Sequence, residues 1–168
     1  MHPQPLVAAL FAKVQEQVEL LEALVGKLPD TPLTWTPPVA NAWTTAQLLG
    51  HILDCLAGMC AVLFAAHPDS LEHFGVLRDL PVNHSCGREE ALSRLRQYGV
   101  SLAEGFAVLT DVDLSHAIPT VFVPAGETVL SLVLGNLEHL INHKHELFTH
   151  VKLMGIAVGT PDLYRFRG

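Results

Sequence analysis

Helix-spaced histidines are the first chemistry the sequence offers. Asn136, His139, His143, Glu146 and His150 follow one another at steps of three, four, three and four residues, which places them on one longitudinal stripe of a helix. Imidazoles at i and i+4 can share a single metal ion. A solvated helix face is ordinarily filled with Lys, Glu and Arg. This one carries imidazoles beside an apolar stripe of Val133, Leu137, Leu140, Ile141, Leu147 and Val151. The competing reading is that the stripe is simply the wet side of the helix. A lone HxxxH is a modest signal, because zinc generally takes a third protein ligand.

His51 is the candidate for that third ligand. It sits among Leu48, Leu49 and Ile52, where an imidazole without a partner would cost about 1–3 kcal/mol. The alternative is a core histidine bonded to a carbonyl. Cys55, one turn later, is a possible alternative ligand, although a small buried hydrophobe is its commoner role. His145 stands two residues from His143 and points to the other side of the helix; His150 is a further neighbour. A ligating histidine usually donates its second ring N–H to an outer acceptor. Asp54, three residues after His51, and Glu146, three after His143, are placed to accept it, or they are ordinary surface carboxylates. Three histidines would leave one position of a tetrahedral ion open, as in catalytic rather than closed structural zinc sites. Zinc or nickel is the expected metal, with iron a further option, since imidazole suits them all.

Four helices are needed to hold these residues. Apolar residues recur at three- and four-residue steps from Pro5 to about Leu28, and prolines at 29, 32, 37 and 38 stop that helix. Thr44-Thr45-Ala46-Gln47 has capping-box spacing and opens a second helix running to about Ala66. A third spans about Gly87–Leu109, and a fourth runs from near Thr128 to about Met154, closed by Gly155. Trp35 and Trp43 can lie against the bundle's end. The connection 68–86 is long enough to cross the length of a bundle, so helices 2 and 3 can be parallel. Residues 111–127, with Ile118, Thr120, Val121, Phe122 and Val123 before Pro124-Ala125-Gly126, suit a short extended excursion ending in a turn, too short to seed a sheet. The fold class is all-α, a four-helix bundle in one domain over residues 1–168.

Composition narrows the function classes. Apolar residues are 49% and charged residues 16% of the chain, a globular and rather greasy balance whose surplus suits a homodimer interface. The formal charge is −7, with ten histidines against ten Lys plus Arg and no basic cluster, so nucleic acid is not an expected partner. The longest strongly apolar stretch, 55–66, is about a dozen residues where a bilayer takes about 20. No membrane span or secretory leader is expected, and the location is read as cytoplasmic. Cys55, Cys60 and Cys86 lack CxxC spacing and are expected as reduced thiols. No Ser-His-Asp set, phosphate loop or dinucleotide motif offers another chemistry.

The run Trp43-Thr44-Thr45-Ala46-Gln47-Leu48-Leu49-Gly50-His51, with His139-x-x-x-His143-Lys144-His145-Glu146-Leu147 and Val151-Lys152-Leu153-Met154-Gly155, resembles the DinB/YfiT-like superfamily of metal-dependent proteins, which is unrelated to the DNA polymerase sharing the DinB name. The likeness spans nearly the whole chain. It implies an up-down-down-up bundle, often dimeric, with a metal held by His51, His139 and His143. Where the family commonly has Arg-Gly-Gln after the last ligand, this chain has Lys144-His145-Glu146. The resemblance further implies a small-thiol-dependent S-transferase or isomerase, with metal-assisted hydrolysis as a variant. The alternative expectation is a stress-associated, non-catalytic bundle, in which the metal only ties helix 2 to helix 4 and the apolar surplus makes a dimer; an open position blocked by Cys55 or another side chain would favour it.

Overall fold

Pro5 stands in the first turn of α1 (Pro5–Gly26), where its missing N–H leaves no bond unmade. The computed structural model describes residues 4–79, 84–121 and 123–165. Within them the long elements are α1, α2 (Thr45–Ala66), α3 (Arg88–Val108) and α4 (Val129–Leu153). The capping box at α2 forms as the sequence predicts: the Thr44 hydroxyl accepts the Gln47 N–H at 3.1 Å, and the Gln47 side chain accepts the Thr44 N–H at 2.9 Å. Gly155, at φ 81°, closes α4 with the paired bonds Gly155 N–H to Lys152 and Ile156 N–H to Val151.

Contacts along the helices give their directions. Glu22 meets Arg96 at 2.7 Å, the Phe11 and Phe106 rings lie 5.3 Å apart, and the Val7 N–H donates to Asp111, so α1 and α3 are antiparallel. The Cys86 N–H donates to the Ala46 carbonyl, and Leu63 fills the space left by Gly105, so α2 and α3 run parallel. Thr45 meets His150, and Asn136 lies against Gly58, so α2 and α4 are antiparallel. The result is the up-down-down-up order. The connection that makes it possible carries a 3₁₀ run over Glu72–Asp79, and its residues 80–83 lie outside the described ones.

The excursion before α4 differs in detail from its expectation. Ala117–Ile118 (β1) and Glu127–Thr128 (β2) pair as a two-residue antiparallel ladder. The turn at Pro124-Ala125-Gly126 forms as expected, with the Gly126 N–H donating to the Val123 carbonyl and Gly126 at φ 94°, and the Thr120 N–H also donates to the Val123 carbonyl. Phe122 falls outside the described residues, as do the first three, on which the reading of the N-terminus partly rests. The helix α2, 22 residues long with an 18-residue window at mean hydropathy 2.0, is also long and apolar enough to cross a membrane, more than the unbroken run 55–66 suggests. Its residues from Leu48 to Leu63 supply much of the bundle's core, which accounts for that apolarity.

One core residue is a lysine. Lys144 is 2% exposed, and its ammonium donates to Gln17 Oε1 at 2.6 Å and to the Leu163 carbonyl at 2.8 Å. Burial pushes its pKa down to about 8, against the pull of Glu16. It lies about 100° around the axis of α4 from His143. The Lys144 bonds to α1 and the C-terminal tail therefore set the rotation of the helix that carries the histidines.

Two stability predictions follow from these contacts. A Cβ on Gly50 would meet the His84 carbonyl oxygen at 1.7 Å, so Gly50→Ala should lower unfolding free energy by about 1–3 kcal/mol in denaturant titration. Asp113 is partly desolvated, yet Thr110 and His67, the latter at 3.0 Å, hold its carboxyl below the usual range. A depressed folded pKa contributes stability above the unfolded value and loses it as pH falls through the folded one. Asp113→Asn should thus cost about 1–2 kcal/mol near neutrality, and the gap should close below about pH 4.

Candidate metal centre

The first turns of α2 deliver His51. Gly50, immediately before it, has no side chain to hold off the His84 backbone, so the loop entering α3 lies directly on α2. The middle of α4 delivers His139 and His143, whose neighbours Leu137, Leu140 and Leu147 are buried. Antiparallel packing of α2 on α4 then brings the three imidazoles together. The ring centroids stand 5.0 Å apart for His51 and His139, 4.5 Å for His51 and His143, and 4.7 Å for His139 and His143. One nitrogen from each ring lies within 4.8 Å of the other two. His51 Nε2 and His139 Nε2 stand 3.1 Å apart.

The cluster sits at the boundary of core and solvent. His51 and His143 are half-buried and His139 is exposed. Partial desolvation, followed by the neighbouring His143 and His51, holds the His139 pKa below its ordinary value, which keeps its lone pair available near neutral pH. Glu146 Oε2 lies 2.9 Å from His143 Nδ1. That nitrogen is thereby occupied, and Nε2 is left to face the cluster. Trp43 closes one flank, its ring 4.7 Å from that of His51 and 6.0 Å from that of His143.

The remaining candidates are placed elsewhere. Cys55 is 3% exposed and turns its thiol to the His51 carbonyl, 3.4 Å away. Burial, together with the charge of Asp54, pushes that thiol up to about 12. It does not join the cluster of nitrogens. Asp54 is half-buried one turn after His51. His145 is exposed beside Phe148, as its two-residue offset predicts. His150, on the same sequence stripe as His139 and His143, is 2% exposed, with its Nδ1 3.2 Å from the Thr45 hydroxyl and its ring against Trp35. The stripe is therefore neither wholly wet nor wholly a site. Trp43 as a flank of the cluster was not foreseen; its position just before the capping box was the available signal.

Comparison with solved structures shows the same fold. A DinB-like protein from Bacillus subtilis aligns with a TM-score of 0.68 at 17% identity, over 89% of this chain and 94% of its own. A DinB-like protein from Bacillus cereus aligns with a TM-score of 0.62 at 16% identity, over 85% and 89%. A comparison with curated proteins finds no match. The family model described as the DinB superfamily matches residues 13–147, a span that takes in His51, His139 and His143, and the chain belongs to that superfamily.

Proposed function

We propose that this protein is a metal-dependent enzyme whose single divalent ion, zinc or nickel in first preference and iron otherwise, is held by His51, His139 and His143. The carrying observation is the convergence of three imidazoles from two helices. Two donors at 2.0–2.1 Å from one tetrahedral ion stand about 3.3 Å apart, and His51 Nε2 and His139 Nε2 stand 3.1 Å apart. The donor set is three neutral nitrogens, which suits a borderline-soft ion. Glu146, through His143 Nδ1, fixes that ring's orientation and raises its basicity. Asp54 is proposed for the same role toward His51.

An ion held by three histidines supplies Lewis acidity and lowers the pKa of a water or thiol at its open position. The chain's own thiols suit that position poorly. Cys55, Cys60 and Cys86 are buried, and each is pushed up to about 12 by that burial first of all. A thiolate at the centre would come from outside, which supports a small-thiol-dependent S-transferase or isomerase. Metal-assisted hydrolysis uses the same open position. Closure of that position by Cys55 or another side chain would favour the non-catalytic bundle, and the Cys55 thiol is engaged with the His51 carbonyl instead.

Metal analysis of untagged protein should find about one divalent ion per chain, bound at micromolar affinity or better. His51→Ala, His139→Ala and His143→Ala should each weaken it by more than about 100-fold, and Glu146→Ala by roughly 10–100-fold. Absence of binding by the native chain overturns the reading. A transfer screen with small thiols and electrophiles, run on native and His139→Ala protein, then tests the reaction class.

A further inference from the structure

Trp43 is 39% exposed, although indole is the largest apolar side chain. Its exposure is not that of a loose loop residue. The reciprocal cap between Thr44 and Gln47 holds the next residue, and the Thr45 N–H donates to the Trp35 carbonyl at 2.9 Å. The indole is thus presented from an anchored backbone. It meets His51 nearly edge-on, at 63°, and lies closer to parallel with His143, at 26°. His139 is the most exposed of the three, and the indole's described ring contacts are with the other two. The cluster therefore has an aromatic wall that solvent reaches.

We propose that Trp43 determines which ligands the centre accepts, favouring donors that carry a flat aromatic group within one or two bonds of the donor atom, so that the group lies against the indole. This rests on the metal reading above. The physical basis is stacking: an aromatic face gains from offset or edge contact with another ring, beyond what burial of equal apolar area supplies. A saturated group of similar size lacks that gain. Aromatic thiols, or electrophiles bearing aromatic rings, are accordingly the substrate class this wall fits.

The test uses Co²⁺-loaded protein and two thiols of like size, benzyl mercaptan and cyclohexylmethanethiol, with thiolate coordination read from the cobalt absorption bands. Native protein and Trp43→Phe should prefer the benzyl thiol by roughly three- to tenfold. Trp43→Leu should bring the two thiols to near equality. A preference unchanged in Trp43→Leu, or absent from the native protein, overturns the proposal. A second readout covers a Trp43→Leu chain that fails to fold. In Trp35→Phe protein loaded with Zn²⁺, the single remaining indole should change its emission saturably with benzyl mercaptan and hardly at all with the cyclohexyl thiol; emission unmoved by both overturns the proposal. Failure of native protein to bind Co²⁺, seen before any thiol is added, instead removes the metal centre and this inference with it.

Discussion

The packing of α2 against α4 is the constraint on which the site depends. His51 lies on one helix and the His139–His143 pair on the other, and the 3.1 Å approach between them exists only at one relative register. Other contacts hold that register at different heights. Thr45 meets His150 at one end of the seam, and Asn136 lies against Gly58 toward the other. A shift of one helical turn is about 5.4 Å, more than the 4.8 Å within which the three donor atoms lie. The centre is a consequence of core packing.

Polar groups buried in a greasy bundle carry the orientation. Leucines and valines fill volume and tolerate rotation of one helix against another, whereas a buried ammonium or imidazole must find its acceptors. Lys144 finds them in Gln17 and the Leu163 carbonyl, and the C-terminal tail docks as a result. His150 is set against the Thr45 hydroxyl and Trp35. Each is within about one turn of His143 or Glu146 along α4, so the helix that carries the cluster is clamped at both heights.

Much of the fold was readable because its signals are local. The capping box at Thr44 and the Gly155 stop place helix ends within a residue or two of those observed. The long crossing after Pro68 made parallel helices 2 and 3 possible, and Gly105 against Leu63 shows the outcome. Less readable was the fate of the stripe on α4. Spacing made His139, His143 and His150 equivalent, yet the first is exposed and the last buried. A helical period gives angle around the axis and not depth, which depends on what each height of the helix packs against.

By itself the sequence determined the four helices, the HxxxH pair and the candidates His51, Cys55, Asp54 and Glu146, because periodicity, capping and side-chain chemistry are properties of neighbouring residues. Only the tertiary structure decided which candidates meet. It brought His51 to within hydrogen-bonding distance of His139, turned the Cys55 thiol onto a backbone carbonyl, gave Glu146 to His143 and set Trp43 along one flank. The approach of His51 to His139 and of Trp43 to His143 joins residues some 90 to 100 positions apart in the chain, and such distances are set by packing and helix register, which no local pattern encodes.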